Sequence, residues 1–197
     1  MSLRVICRCA LSTALASILA PANAVIQRDF GLDLHNQPIH QLAGPHQHLV
    51  VLFFAASDCP ISNRYVPEIT RLTQKFSAQG VHFLWVYPNA ADSAQTVSDH
   101  NRDFSITGDT ILDPNQSLVA LAHATVTPEA AIFRVEGETL REVYHGRIDD
   151  RYISLGQERP QPQRHELEEA ITAALHSKPI PQPGGPPVGC SIVFLQK

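Results

Sequence analysis

Runs of apolar residues along the chain predict an alternation of strands and helices. The segment Leu49–Phe54 is apolar at every position, which is typical of a central strand buried on both faces of a parallel sheet. Val81–Tyr87 predicts a second strand, and the segment between the two carries apolar residues at every third or fourth position. This spacing predicts an amphipathic helix that begins at Cys59-Pro60 and is kinked by Pro67. Strand, helix and strand in this order predict a βαβ unit.

The second half of the chain predicts a hairpin and a final helix. Ala130–Val135 and Thr139–Tyr144 flank a short turn that contains glycine, a pattern typical of two antiparallel strands. Periodic apolar residues over Leu167–Leu175 predict the last helix. At the other end, Phe30–Leu34 and Pro38–Leu42 predict a hairpin-like N-terminal extension. We therefore expect one α/β domain with a mixed sheet, helices on both faces and this extension.

The first 24 residues have the pattern of a signal peptide. Arg4 and Arg8 accompany an apolar run that ends at Ala20, and Pro21–Ala24 supplies an Ala-x-Ala cleavage site. The run is shorter than the roughly 20 residues that span a bilayer, so it does not predict a stable membrane anchor. We expect export across the inner membrane to the periplasm, with cleavage after Ala24.

Composition narrows the function classes for the remaining chain. Removing 24 of the 197 residues takes away two arginines and no acidic residue, so the formal charge changes from −4 to −6. A net negative charge without a basic run argues against nucleic acid as a partner. Cys7 and Cys9 leave with the signal peptide, and the remaining Cys59 and Cys190 are too few for paired zinc-binding or haem-attachment motifs. We expect neither a metal nor a cofactor.

Cys59 is the candidate nucleophile, because it precedes the proline that starts the predicted helix. Free N–H groups at a helix N-terminus stabilise a thiolate and thereby lower the pKa of a thiol. Asp58 opposes this effect, since a neighbouring carboxylate penalises a second negative charge. Ser62 lies one turn further on, where its hydroxyl can donate a hydrogen bond to the sulfur. The alternative is a buried cysteine with a packing role only.

These residues resemble the thioredoxin-like superfamily, in the redoxin branch that contains AhpC/TSA and TlpA-like proteins. The resemblance extends over residues 30–176 as an ordered set of elements and rests on three matching segments: Phe53–Ser62, Pro67 and Thr127-Pro128. It implies a thioredoxin-like fold, a reactive Cys59 and a cis Pro128 that faces this cysteine. It also implies that Pro60, Thr127 and Pro128 shape the groove in which the substrate backbone binds.

Three positions depart from the family pattern. The second active-site cysteine of the family is replaced by Ser62, so the motif contains no thiol to resolve a mixed disulfide at Cys59. Asp58 replaces the usual tryptophan, and Ala56 stands where a peroxiredoxin carries threonine or serine. The motif is therefore Cys-x-x-Ser, and it is not a standard peroxiredoxin site.

Cys190 is the candidate replacement for the resolving thiol. It lies in a tail, residues 177–197, that follows the expected redoxin domain of residues 25–176. The part Ser177–Gly189 contains five prolines and three glycines and is expected to be extended and unpacked. Such a tail can carry Cys190 back across the domain, and the apolar residues after it indicate that its end docks. A permanent structural disulfide with Cys59 and an unpaired Cys190 remain as alternatives.

The resemblance implies an enzyme, and we expect it to exchange thiols and disulfides. Cys59 attacks a disulfide, and Cys190 or an external thiol releases the product. The partners are then protein or small-molecule thiols and disulfides. One alternative is a thiol peroxidase, in which peroxide oxidises Cys59 to a sulfenic acid that condenses with Cys190. The other is a copper-binding domain similar to Sco-type chaperones, with the two cysteines and His123 or His145 as ligands.

Overall fold

The structure is a computed structural model that describes residues 29–195. The expected signal peptide and its cleavage site lie outside these residues. Within the described part of the chain, no helix is both long and apolar enough to cross a membrane. The elements in chain order are β1 Leu49–Phe54, α1 Pro60–Arg64, α2 Val66–Phe76, a 3-10 turn Ser77–Gln79, β2 Val81–Tyr87, α3 Ala94–Asp103, β3 Asp109–Leu112, α4 Ser117–Ala122, β4 Val126–Thr127, β5 Glu129–Glu136, β6 Thr139–Gly146, β7 Tyr152–Ser154, β8 Gln157–Glu158, α5 Glu166–Leu175 and β9 Cys190–Ser191.

The central sheet has five strands in the order β3-β2-β1-β5-β6. β1 pairs with β2 in parallel, from Leu49 opposite Val81 onwards, and β2 pairs with β3 in the same way. β5 is antiparallel to β1 and to β6. The predicted mixed sheet is thus confirmed, and so is the hairpin of β5 and β6. The N-terminal extension forms hairpin-like bridges, in which Leu32 pairs with both Pro38 and Leu112 at the β3 edge.

β1 forms the centre of the core because both of its faces are covered. All six of its side chains are buried, and alternate residues of a strand point to opposite faces. Phe53 packs in a cluster with Ile69 of α2 and Ile171 of α5. Leu52 packs on the other face, in a cluster with Leu118 of α4. The carboxyl end of β1 is therefore fixed, and this end leads directly to Cys59.

The predicted kink in the first long helix is a complete break at Tyr65. α1 ends at Arg64, and α2 begins at Val66 with Pro67 in its first turn. Proline has no N–H to continue the hydrogen-bond ladder of a preceding helix, but it is tolerated in the first turn of a new one. The break leaves α1 as a short helix that carries Cys59 at its start.

The expectation that Ser177–Gly189 is unpacked is wrong. The segment is extended, but it lies against the domain: the backbone N–H of Gly184 donates to Glu166 Oε1 at 2.9 Å. Glu166 is buried and also forms an ion pair with Arg147 at 2.7 Å. A methyl group added to Gly146 of β6 would meet the Pro183 ring at 2.9 Å, which shows how closely the tail follows this strand.

Candidate active site

Cys59 lies at the N-cap of α1, where it contacts Thr127 at the end of β4. The backbone of Ala55 continues the pairing of β1 with β2, since its N–H donates to Val86 O at 2.8 Å. Pro60 then occupies the first position of α1, as the sequence predicted. The Cys59 side chain is 0% exposed, and its thiol donates to the Thr127 carbonyl oxygen at 3.1 Å. The peptide bond between Thr127 and Pro128 is cis, in agreement with the family resemblance.

The structure brings Cys190 to Cys59. The tail strand β9 pairs antiparallel with β4, which places Cys190 opposite Thr127 and Ser191 opposite Val126. The Cys190 thiol is partly buried and lies close enough to Cys59 for each thiol to shift the pKa of the other. Both cysteines are free thiols. Two groups that are 131 positions apart in the chain therefore face each other at the start of α1.

The surroundings of Cys59 favour its ionised form. Burial alone raises the pKa of this thiol, but the hydrogen bonds outweigh burial and hold the pKa below its ordinary value. The Cys190 thiol lowers this pKa most, followed by the Ser62 hydroxyl and the backbone N–H groups of Ser62 and Cys190. Cys190 behaves in the opposite way: burial and the neighbouring Cys59 raise the pKa of the Cys190 thiol to about 12. Cys59 is thus the more readily ionised of the two thiols.

Ser62 is a hydrogen-bond donor held ready for a thiolate. Its side chain is 2% exposed, and within residues 29–195 its hydroxyl has no well-aligned hydrogen-bond partner. It nevertheless lies close enough to Cys59 to lower the pKa of that thiol. A buried hydroxyl without a partner carries a free-energy penalty of about 1–3 kcal/mol. Ionisation of Cys59 gives the hydroxyl an acceptor, so this penalty is relieved in the reactive form.

The sequence from residue 26 to residue 144 matches the family model described as "AhpC/TSA family". The match covers more than half of the chain. The chain belongs to the AhpC/TSA family. Membership of this family supports a redox enzyme activity. A search among curated proteins found no match.

Solved structures confirm the thioredoxin-like fold of this AhpC/TSA protein. An uncharacterized conserved protein from Geobacillus kaustophilus has a TM-score of 0.70 and 22% identity, over 87% of this chain and 91% of that one. A hypothetical protein from Sinorhizobium meliloti 1021 has a TM-score of 0.67 and 19% identity, over 84% and 91%. A putative thioredoxin from Neisseria meningitidis has a TM-score of 0.53 and 18% identity, over 76% and 89%. At these identities the likeness is one of fold.

A buried carboxylate that the sequence analysis missed supports the loop before Cys59 in this AhpC/TSA domain. Asp92 Oδ1 accepts hydrogen bonds from the N–H of Ser57 at 3.2 Å and from its hydroxyl. The other carboxylate oxygen of Asp92 has no partner among the described residues. Burial raises the pKa of Asp92, although the bonds from Ser57 lower it in part. Asp92 is 35 positions from Ser57, so no local motif indicated the contact.

A buried histidine of α3, His100, forms hydrogen bonds that support α1. His100 of α3 bonds through Nε2 to Asn63 Oδ1 at 2.8 Å and through Nδ1 to the Tyr87 hydroxyl at 3.0 Å. Burial lowers the pKa of His100, which favours the neutral ring. In that form Nε2 donates to Asn63, and the single proton of the Tyr87 hydroxyl lies between His100 Nδ1 and Asn101 Oδ1, which is 3.1 Å from the hydroxyl. The network fixes the residue that directly follows Ser62 in α1.

The described residues do not assemble the copper ligands that the sequence allowed. Among them, the only group of three or more candidate metal ligands with mutually close donor atoms is Glu68, His165 and Glu168. This group contains neither cysteine, and Arg71 and Lys75 already pair with its carboxylates. Neither His123 nor His145 joins Cys59 and Cys190 in such a group. The AhpC/TSA site is therefore a pair of thiols with hydrogen-bond donors around it.

Proposed function

We propose that this protein is an exported thiol-disulfide oxidoreductase in which Cys59 is the nucleophile and Cys190 is the resolving thiol. The observation that carries the proposal is the pairing of β9 with β4, since it places Cys190 opposite Thr127, whose carbonyl oxygen contacts the Cys59 thiol at 3.1 Å. Exchange between sulfur atoms requires one thiolate and one sulfur within reach. The lowered pKa of Cys59 and the neighbouring Cys190 support both requirements.

The first step takes place at Cys59. Its thiolate attacks one sulfur of a substrate disulfide, so that a bond forms between Cys59 and this sulfur while the substrate S–S bond breaks. The other substrate sulfur leaves as a thiolate and takes up a proton. Ser62 stabilises the attacking thiolate through its hydroxyl, and Pro60 removes an N–H that would otherwise need a partner in the first turn.

The second step uses Cys190. It loses its proton and attacks the Cys59 sulfur, which forms the Cys59–Cys190 disulfide and releases the second substrate thiol. The dithiol of the protein is oxidised by two electrons, and the substrate disulfide is reduced to two thiols. The raised pKa of Cys190 depends in part on the neighbouring Cys59. Because a mixed disulfide at Cys59 carries no charge, Cys190 becomes easier to ionise once the first step is complete.

The substrate backbone binds beside Thr127 and Pro128 in this proposal. Thr127 is buried and its carbonyl oxygen contacts the Cys59 thiol, while Pro128 follows it directly. The crevice beside Pro128, which Tyr65, Tyr152, Arg147 and Asp149 help to line, has a volume of about 10 Å³ and is too small for a substrate side chain.

Trapping experiments with oxidised glutathione test the mechanism on the chain from residue 25 to residue 197. The reduced parent is expected to form the Cys59–Cys190 disulfide, whereas Cys190→Ser stops at glutathione on Cys59 and Cys59→Ser does not react. A midpoint potential above about −230 mV indicates a labile pair that exchanges, and one below roughly −300 mV indicates a structural bridge. The second result, or glutathione on Cys190 in the parent, contradicts the mechanism.

Export is the second part of the proposal. Residues 1–24 are a signal peptide, residues 25–176 a redoxin domain and residues 177–197 the tail that carries Cys190. The supporting pattern is the Ala-x-Ala site that ends at Ala24. Mass spectrometry of the protein from the periplasmic fraction of a bacterial host is expected to give an N-terminus at Val25. An intact Met1 in the cytoplasmic fraction alone contradicts export.

A further inference from the structure

The last residues of the tail cover the reactive thiol. Cys59 is 0% exposed, although its pKa is lowered as expected for a reactive group. Gly189 and Cys190 lie against Thr127, whose carbonyl oxygen contacts the Cys59 sulfur at 3.1 Å. An external disulfide needs to approach this sulfur in line with its own S–S bond. The docked tail occupies that space, so the docked arrangement protects the nucleophile.

Backbone pairing holds this segment next to the site. β9 adds to β4, and within the described chain β4 has no other strand partner. Gly189 lies so close to Thr127 that an added Cβ atom would be 2.2 Å from the Thr127 carbonyl oxygen. Real Cβ contacts are not this short, and the atom in the way belongs to the backbone. Only glycine therefore fits at position 189 while the tail is docked.

Side chains also hold the part of the tail that follows Cys190. Ile192 is 2% exposed in the core cluster on one face of the sheet, and its N–H donates to Thr125 O at 3.1 Å. Gln116 binds the segment with both ends of its amide: Nε2 donates to Val193 O at 2.7 Å, and Oε1 accepts from Leu195 N at 3.0 Å. These contacts lie outside the thiol pair, and the Gln116 amide also donates to Pro88 O at 3.4 Å.

We propose that Gly189–Leu195 is an autoinhibitory latch that shields Cys59, and that external substrates reach this thiol only after the latch leaves β4. The inference rests on the proposed function for what the substrate is, but the latch itself is defined by the accessibility of Cys59. An open latch releases the Thr125 carbonyl oxygen from Ile192 and the Thr127 backbone from Cys190. Such an edge accepts an extended polypeptide segment, so substrate and latch compete for one place.

The test measures how fast iodoacetamide modifies Cys59, by peptide mapping of folded, reduced protein at neutral pH. All proteins carry Cys190→Ser, which removes the second thiol and leaves the rest of the latch. Gly189→Ala and Gln116→Glu are expected to raise the rate on the order of tenfold or more, because each weakens the docked state by an independent contact. Gly44→Ala is the matched control, since its added Cβ makes only an ordinary contact at 3.7 Å, and it leaves the rate unchanged.

Two results contradict the proposal that Gly189–Leu195 is a latch. One is a rate in the starting protein equal to that of the urea-unfolded chain; the other is an unchanged rate in both Gly189→Ala and Gln116→Glu, with circular dichroism showing the fold intact. Failure of the proposed function looks different: the rate differences persist, but oxidised glutathione gives no Cys59–Cys190 disulfide in the protein with both cysteines. The latch and the reaction are therefore tested separately.

Discussion

At the scale of single residues, Ser62 changes what the active-site motif can do. A second cysteine at this position would resolve a mixed disulfide within the helix, whereas a hydroxyl can only donate a hydrogen bond. The hydroxyl is buried and lies close enough to Cys59 to lower the pKa of its thiol. In the proposed mechanism the motif therefore keeps activation of the nucleophile in α1, and Cys190 in the tail carries out the resolution.

Ser62→Ala is expected to raise the pKa of Cys59, because burial then opposes ionisation with one donor fewer. The measurement is the ultraviolet absorbance of the thiolate as a function of pH; Cys190, with a pKa of about 12, titrates separately. Ser98→Ala, an exposed serine on α3, is the control and leaves the titration unchanged. A titration curve of Ser62→Ala that superimposes on the parent would show that the hydroxyl does not act on the sulfur.

At the scale of elements, the site is a junction of segments that are distant in sequence. The end of β1, the start of α1, the residues before α3 and strands β4 and β9 all meet at Cys59. Asp92 joins the β1–α1 loop to the start of α3 through Ser57. Its carboxylate is buried, and among the described residues one of its oxygen atoms has no partner. An ionised Asp92 at this junction therefore lowers the free energy of unfolding.

This cost predicts a pH dependence of stability. The pKa of Asp92 is raised in the folded protein, so its contribution to stability is fully present below its ordinary pKa and is lost as pH rises through the folded value. The free energy of unfolding of the parent is expected to fall relative to that of Asp92→Asn as pH rises above about 4, the ordinary pKa of aspartate. Urea unfolding at several pH values measures this difference. Asp103→Asn, exposed at the end of α3, is the control, and a difference independent of pH contradicts the prediction.

The elements also show which parts of the fold the sequence could predict. The bounds of β1 and β2 were predicted correctly, because a buried central strand needs an apolar residue at nearly every position. Pro67 predicted a kink in the first long helix, and the structure has a complete break at Tyr65. The junction at Asp92 was not predicted, since it depends on the meeting of two loops 35 positions apart. Resemblance, not periodicity, indicated that Thr127 and Pro128 lie next to Cys59.

At the scale of the whole molecule, the packing of Ser177–Gly189 was the main feature that the sequence did not predict. Its prolines and glycines show no periodic pattern, so composition alone suggested an unpacked segment, whereas the apolar residues after Cys190 did indicate that the end of the tail docks. The contacts that dock the tail are long-range and specific, as with Gly184 on Glu166 and Gly189 on Thr127. The family match ends at residue 144. Cys59 thus belongs to the matched part of the chain, and Cys190 lies beyond it.

The proline-rich segment Ser177–Gly189 lies between α5 and β9 and is called the arm. It determines how the tail moves once the latch has opened. Five prolines restrict the backbone torsions of Ser177–Gly189, so the open arm samples far fewer conformations than a glycine-serine linker of equal length. Less conformational entropy is then lost when the arm returns to the sheet. In the proposed mechanism Cys190 is a tethered reactant, and the stiffness of its tether sets its effective molarity at Cys59. Resolution within one molecule is first order in that mechanism, so its rate does not depend on the concentration of the protein.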